Sequence, residues 1–469
     1  MAGIGWGLPP ATPHVAASDL RCSYAFDEDD VLTPLSFTNP ARGDLDPRDY
    51  HWGTFHFELV LPVLEAAEAL GVFGGPWRQA YYNLVSPGFE RVYIVARLVS
   101  VATALAGIIA VFLLGREAAG AGAGLWAALL LAVSPAHVLT SAQIRVDVTM
   151  ATLVTLAAWC GLRGRMFSTG LAAGLAVTAK YSAVFMVTPM LLLAVWGRGR
   201  RAAGRAAASV VLGCLIGQPY LLVRSAEMIA KVEESVARYR ETPQRFVPSR
   251  TELLARHGAN LARFSLGVPA ALLALYGLSR MMRDRKWLIP AAVAGGVASL
   301  VPLLWPLLRY QVPLAPLLAV AAAVGIGRRR TLGAAAAIVP LAASLAQVHY
   351  MRSPHPANQV LPVILRATPP GAPIARLTPE MPPLDRKVYP MGLNPLLDDL
   401  PRDPPAWVLI TDLPDLPYPP GNLDLLAARY DQVAEFRSRR ILAWATLGEA
   451  GAPHDWKYTH ASMTLYRRR

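Results

Sequence analysis

Apolar residues recur along this chain in blocks long enough to cross a bilayer, separated by short polar breaks. Val92–Leu114, Leu125–Leu139 and Val301–Ile326 show the pattern most clearly. Read in order, the apolar segments are Val92–Leu114, Gly122–Thr140, Ile144–Leu162, Phe167–Ala179, Ser182–Trp196, Ala206–Val223, Leu261–Ser279, Trp287–Leu304, Tyr310–Gly327 and Leu332–Val348. Lipid leaves backbone polar groups no partner except within their own helix, so the pattern predicts an all-α polytopic membrane protein of about ten or eleven transmembrane helices.

The flanks differ. Residues 1–91 are polar to amphipathic, with Phe26-Asp27-Glu28-Asp29-Asp30 as their acidic focus. Within them, His56–Val72 is apolar enough to touch lipid, but Glu58, Glu65 and Glu68 make a full crossing expensive. It reads as a helix lying in the interface. Met1–Ser23 lacks the basic start and central apolar run of a signal peptide. A loop outside the cytoplasm normally follows a spanning helix, so a first helix upstream of Met1 is expected. After Tyr350 the chain becomes Pro-rich and mixed in charge. Trp407–Thr411 and Ser462–Tyr466 read as strands and Leu423–Tyr430 as a helix. The expected organisation is a first extracytoplasmic loop (1–91), a transmembrane helical domain (92–350) and a small extracytoplasmic α/β domain (351–469).

Composition agrees. Of 469 residues, 54% are hydrophobic and only 16% charged, with a mean hydropathy of +0.34, outside the range of ordinary soluble domains. The net charge of +13 raises the question of nucleic acid. However, the arginines sit in clusters between apolar blocks, and no basic stripe interleaved with aromatics is present. Arg116, Arg163/Arg165, Arg198–Arg205, Arg280–Lys286 and Arg328–Arg330 fall on every second connection. The positive-inside rule makes that side cytoplasmic. Parity then puts the acidic first loop, Gln143–Asp147, Lys180-Tyr181, Trp305–Arg309 and the C-terminus together outside. The cysteines, Cys22, Cys160 and Cys214, have neither disulfide-framework nor metal spacing.

What gathers outside carries the candidate chemistry. Asp27, Glu28 and Asp147 supply carboxylates, and Arg97, Arg145, Lys180 and Arg309 supply cations at the membrane edge. Ionisable groups there are costly, which makes them functional candidates. Fixed cations suit a lipid phosphate, and a carboxylate suits activation of a hydroxyl. Each residue also has a plain structural reading. The acidic run suits a solvated turn or helix N-terminus, and Asp147 a cap or a partner of Arg145. Lys180 suits a snorkelling helix end, and Arg309-Tyr310 an interfacial anchor. His51 and His56 read as structural.

At these positions the chain resembles the GT-C membrane glycosyltransferases of the protein O-mannosyltransferase and lipid A aminoarabinose transferase type. The matching stretches are Phe26-Asp27-Glu28, Arg97-Leu98-Val99-Ser100 through Gly115-Arg116, Leu131–Pro135 with Arg145-Val146-Asp147, Thr178-Ala179-Lys180-Tyr181, Gln218-Pro219-Tyr220, and Arg309-Tyr310-Gln311-Val312-Pro313-Leu314-Ala315-Pro316. The likeness runs from about Gly5 to Tyr350. It implies a GT-C-like fold, a polyprenyl-phosphate-linked sugar donor, inversion at the anomeric carbon, and Asp27 as general base. By the same resemblance Glu28 assists, Asp147 orients acceptor or sugar, and Lys180 and Arg309, flanked by Tyr181 and Tyr310, hold the leaving phosphate. Arg97 and Arg145 join that set by side. Where this family often has a Pro-Pro pair after the first-loop acids, this chain has His51-Trp52-Gly53-Thr54. No cofactor is assigned. Asp29 and Asp30 offer oxygen ligands of the kind Mg²⁺ or Mn²⁺ take, but the mannosyltransferase type generally uses no metal, so none is expected.

The expected function is transfer of a sugar to an extracytoplasmic lipid, glycan or protein in the inner or plasma membrane. The rivals are a transporter or flippase for a lipid-linked or anionic substrate, and a polysaccharide ligase or polymerase. A transporter often shows corresponding repeats with broken helices, and none stands out. The transferase reading requires Asp27, Lys180 and Arg309 to meet around one lipid-accessible chamber.

Overall fold

The helix Pro87–Ala119 shows how local sequence rules set the frame. Pro87 occupies the first helical position, Ser86 caps the N-terminus by accepting from the Gly88 N–H, and Gly120 ends the helix at φ 91°. Its 33 residues span about 50 Å, more than the ~30 Å hydrocarbon core of a bilayer. Tyr93 and Arg97 lie in its N-terminal third. The computed structural model describes residues 3–9, 23–25, 27–84, 86–241, 249–303, 305–369, 372, 374–376, 391–393, 405–411, 420–449 and 451–469. Phe26, Cys22 and Leu304, named above, lie outside the described residues.

Each apolar segment read from the sequence contains a helix. After Pro87–Ala119 come the bent pair Ala121–Ala132 and Pro135–Ser141, then Val146–Leu162, Met166–Ala179, Ala183–Val195, Gly199–Gly217, Val268–Arg283, Leu288–Leu300, Ala315–Ile326 and Arg330–Arg352. Several are shorter than their apolar segments. Among the described residues, two helices are long and apolar enough to cross a bilayer alone, or up to four if each bent pair is one span. The five shorter apolar helices, of 10–17 residues, would bring the total to nine, and a count of ten or eleven needs Gly199–Gly217 to cross as well. The sharpest bend, 110° between Arg250–Leu266 and Val268–Arg283, falls at Gly267, whose φ of 78° is one that side-chain-bearing residues rarely adopt.

Small residues let the helices approach. A Cβ on Gly174 would stand 2.2 Å from the Val210 carbonyl oxygen, and one on Gly213 would stand 2.5 Å from that of Leu171. At one end of the bundle the arginine-bearing connections meet. Arg163 pairs with Glu117 at 3.7 Å, and Lys286 donates to the Ala118 carbonyl at 2.9 Å. The charges that keep phase along the sequence thus collect at one end.

The opposite end is roofed by the polar flanks. Phe55–Ala69 forms the helix expected there. Its Phe57, Val60, Leu61 and Leu64 are buried in a cluster with Leu32, Leu35 and Trp77. Its acids are used locally: Glu68 accepts from the Trp77 N–H at 2.6 Å, and Glu65 pairs with Arg78 at 2.8 Å. The C-terminal region holds a five-stranded mixed sheet of β1 (Ile374–Arg376), β2 (Met391–Leu393), β3 (Trp407–Thr411), β4 (Tyr430–Phe436) and β5 (Met463–Arg468) in the order β2-β1-β3-β5-β4. β1 runs parallel to β2 and β3, and β5 antiparallel to β3 and β4. β3 sits centrally and is buried throughout, as its WVLIT sequence demands. The alternation of side chains sends Val408 and Ile410 to Leu426 on one face. It sends Leu409 and Leu465 to Val360, Leu361 and Ile364 of the Pro356–Ala367 helix on the other. That second core is continuous with the first-loop residues Tyr24 and Leu32, so both flanks pack together over the bundle.

Candidate active site

The four consecutive acids of the first loop diverge: Asp27 and Asp30 line one cavity, whereas Glu28 and Asp29 are buried away from it. Asp27 has φ 71°, a left-handed conformation that costs a non-glycine residue roughly 1 kcal/mol or more. It immediately precedes Glu28, the N-cap of the helix Asp29–Ser36. The reversal turns its carboxylate into a cavity of about 650 Å³ that also exposes Arg145, Asp147, Lys180, Tyr181, Arg309 and Tyr310. Asp30 reaches the edge of the same cavity.

Glu28 points the other way. It is fully buried, with Arg97 Nε 2.8 Å from Oε1 and Nη2 2.6 Å from Oε2. The Ile144 N–H donates to Oε1 at 2.9 Å. Arg97 spends its remaining nitrogen on the carbonyls of Ile4 and Trp6. Neither Glu28 nor Arg97 lines the cavity. They are committed to each other and tie the first loop to the Pro87–Ala119 helix. Asp29 is buried against Tyr81, which donates to it at 3.1 Å, and Tyr93. Burial pushes its carboxyl up to about 6.

Two cations converge on Asp27. Arg309 Nη1 stands 2.6 Å from Oδ2, and Arg145 Nη1 contacts the same oxygen. Burial alone would raise this carboxyl. Arg309 and Arg145 outweigh it and hold the group below the usual carboxylate range. Arg145 is aimed by Gln143, which accepts from its Nε at 2.7 Å, and its buried Nη2 has no hydrogen-bond partner among the described residues.

Lys180 belongs to a second pair. Met166–Ala179 ends at Lys180 in extended conformation, and its Nζ lies 2.6 Å from Asp147 Oδ1. The ammonium also stands 5.1 Å from the centroid of the Tyr310 ring, within cation–π range. Tyr181 accepts from Gln218 Nε2 at 3.0 Å, which draws in the Gln218-Pro219-Tyr220 stretch. Met150, Met186, Leu300 and Leu314 make one wall of the cavity apolar, while Asp49, His51 and Trp52 line another part. Among the described residues no three His, Cys, Asp or Glu side chains converge as a metal site.

The C-terminal region, expected to help recognise the acceptor or shield the cavity, contributes residues that no sequence signal singled out. His454 and Tyr458 also line the cavity. Asp455 accepts from the backbone N–H groups of Leu308 and Arg309, each at 2.8 Å. Burial, with Arg309 nearby, takes His454 down to about 3, a neutral imidazole. Burial raises the Asp455 carboxyl against the opposing pull of Arg309 and the two N–H groups. The His454-Asp455-Trp456 run is an unusual cluster in a Pro-rich tail. Nothing in its spacing, however, ties it to Arg309, 146 positions earlier.

In comparison with known proteins, residues 75–221 match the family described as dolichyl-phosphate-mannose-protein mannosyltransferase. No curated protein matches the sequence. Among solved structures, that of ArnT from Cupriavidus metallidurans in the apo state aligns with 99% of this chain and 95% of its own, at 15% identity and a TM-score of 0.53. The same protein bound to undecaprenyl phosphate aligns over 98% of this chain and 95% of its own, at 14% identity and a TM-score of 0.44. The Archaeoglobus fulgidus oligosaccharyltransferase tethered with an acceptor peptide covers 78% of this chain and 56% of its own, at 16% identity and a TM-score of 0.48. The last two superpose too loosely to bear on the fold. The first shows that this chain shares the ArnT fold, and with the matched segment it upholds the resemblance to GT-C glycosyltransferases of the mannosyl- and aminoarabinose-transferase type.

Proposed function

We propose that this chain is an inverting glycosyltransferase. It moves a hexose or pentose from a polyprenyl-phosphate donor to a hydroxyl-bearing lipid, glycan or protein outside the cytoplasm. The observation that carries the reading is the cavity itself: Asp27, Lys180 and Arg309 share it with an apolar wall. Its five central charges are Asp27, Asp147, Arg145, Lys180 and Arg309. They sum to one positive charge, which a phosphate would offset. The arginine-rich end of the bundle lies opposite and is assigned to the cytoplasm.

In this reading the prenyl chain lies along the apolar wall, and the phosphate takes contacts from Lys180, Arg309 and the unused Nη2 of Arg145. The acceptor oxygen attacks the anomeric carbon from the face opposite the phosphate. The glycosidic C–O bond breaks with its electron pair going to the phosphate oxygen, the configuration inverts, and the acceptor proton passes to Asp27. A carboxylate held down by two guanidinium groups is a weak base at rest. A bound phosphate shares those guanidinium charges and lifts that restraint. The acceptor hydroxyl also becomes more acidic as its oxygen bonds to carbon, so a weak base suffices late in the step.

The test is to incubate the purified protein in lipid with polyprenyl-phosphate-linked sugars and a panel of acceptors, and to weigh the products. Asp27→Asn should lower transfer by about 10²–10⁴-fold while eluting as wild type does. Transfer by Asp27→Asn at the wild-type rate would remove Asp27 from the role. No transfer from any lipid-linked sugar, with no binding of the prenyl phosphate, would end the reading.

A further inference from the structure

The C-terminal segment meets the cavity through one acid with a narrow set of partners. Asp455 is 5% exposed, and each of its carboxylate oxygens accepts one backbone N–H, from Leu308 and from Arg309. Those N–H groups open the single 3₁₀ turn Leu308–Gln311. The first N–H groups of any helical turn lack partners within it, and a turn this short has no further length to fix its direction. Asp455 supplies the missing acceptors from elsewhere in the chain.

The acid is itself held firmly. The Trp456 ring packs on Phe264 with centroids 5.0 Å apart. The Tyr458 carbonyl accepts from His355 Nε2 at 2.7 Å, and Thr459 Oγ1 donates to Gln347 at 2.8 Å. These contacts root the segment in the helix Arg250–Leu266, the helix Arg330–Arg352 and His355, the N-cap of Pro356–Ala367. The second residue of the turn, Arg309, sets its guanidinium 2.6 Å from Asp27.

We infer that Asp455 is a positioning residue for the transfer reaction: it fixes the backbone of Arg309 so that the guanidinium stands between Asp27 and the donor phosphate. The inference rests on the proposed function and extends it. It makes the C-terminal segment part of the site, with His454 and Tyr458 completing the cavity wall. Asp455 touches no reacting atom and acts through Arg309 alone.

Asp455→Asn keeps the shape but places an NH₂ against one of the two N–H donors. Full-length protein in lipid nanodiscs is titrated with a prenyl phosphate, and transfer is followed across pH. The expected result is prenyl-phosphate affinity about tenfold weaker and the donor KM raised by a similar factor. The acid limb of kcat/KM should move to higher pH, because Asp27 loses part of the cation that holds it down. A general loss of packing would lower the amount of active protein without moving that limb. If Asp455→Asn cannot be purified, Asp455→Glu, with both oxygens on a longer arm, should show the same two changes to a smaller degree. Wild-type affinity and an unmoved acid limb in the variant would overturn the inference while leaving the functional reading intact. Wild-type protein that neither binds prenyl phosphate nor transfers sugar would overturn that reading, and this inference with it.

Discussion

Lys180 Nζ lies 2.6 Å from Asp147 Oδ1, and the cations on Asp27 are those of Arg145 and Arg309. The cavity therefore holds two separate charge clusters, a balanced Lys180–Asp147 pair and an Asp27 cluster with one guanidinium in excess. Asp147 keeps the ammonium extended toward Tyr310 at the helix end, where a positive charge also meets the negative end of the helix dipole.

Lys180→Met removes the ammonium that Asp147 holds toward the cavity, at nearly constant bulk. Preorganised donors around a developing oxyanion are worth about 10²–10³-fold each, so kcat/KM for sugar transfer should fall by that order while the fold survives. Asp147→Asn should do less, because it leaves the ammonium in place and costs only its aim. Steady-state kinetics with varied donor separates the two. Equal losses from both variants would mean that the pair acts as a structural unit.

Glu28 and Arg97 make a contrasting case. Both are fully buried and doubly hydrogen-bonded to each other. Removing one partner of such a pair strands a buried charge, at a cost of about 3–5 kcal/mol. Arg97→Ala should therefore unfold at markedly lower temperature, since it also releases the carbonyls of Ile4 and Trp6. Glu28→Gln with Arg97→Met, which removes both charges, should be milder than the two single losses added together. Thermal unfolding in detergent reads this directly, and simple additivity would show that the pair is not coupled.

Much of this arrangement was legible in the sequence. Every apolar segment forms a helix, β3 has its expected bounds, and Asp27, Asp147, Lys180 and Arg309 reach one cavity. Periodicity and charge phase are local or cumulative signals, and they survive without a structure. Which acid faces inward is a different question. Asp27 and Glu28 are neighbours with the same chemistry, and the choice between them turns on the left-handed backbone at Asp27. Composition does not encode that, and the sequence reading grouped Glu28 and Arg97 with the site. Asp455 was hidden for another reason: its partners are backbone N–H groups of Leu308 and Arg309, which leave no mark in residue type.

Asp29 links stability to pH. Burial raises its carboxyl from 3.8 to about 6, so between these values the folded protein binds a proton that the unfolded chain has released. The stabilisation from the neutral acid is complete below about pH 4 and is lost as pH rises through about 6, amounting to at most ~3 kcal/mol. Asp29→Asn keeps an acceptor for Tyr81 and Tyr93 without the titration. Its stability relative to wild type should rise between about pH 4 and about pH 6 and level off above about pH 7. A difference in unfolding midpoint that stays flat across that range would show that the carboxyl is not titrating there.

Gly53 stands where the first loop meets the bundle. A Cβ at this position would lie 1.7 Å from the Thr178 carbonyl oxygen and 2.2 Å from its carbon, two residues before Lys180. Backbone cannot give way as a flexible side chain does, so the loop and the helix end would have to separate. The neighbouring Thr54 hydroxyl, which donates to the Gly217 carbonyl at 3.0 Å, would be pulled along. Gly53→Ala should therefore cost about 1–3 kcal/mol of stability, as overpacking does, and should lower transfer as well by moving Lys180 relative to Asp27. Gly122→Ala is the control. It sits in a helix, with no atom of the other described residues beyond that helix's own backbone within 4 Å of its added methyl, and there alanine is the better helix former. Unfolding midpoints and transfer rates should fall for the first variant and hold for the second. Wild-type behaviour from Gly53→Ala would mean that the loop and the lysine-bearing helix are not in register at this contact.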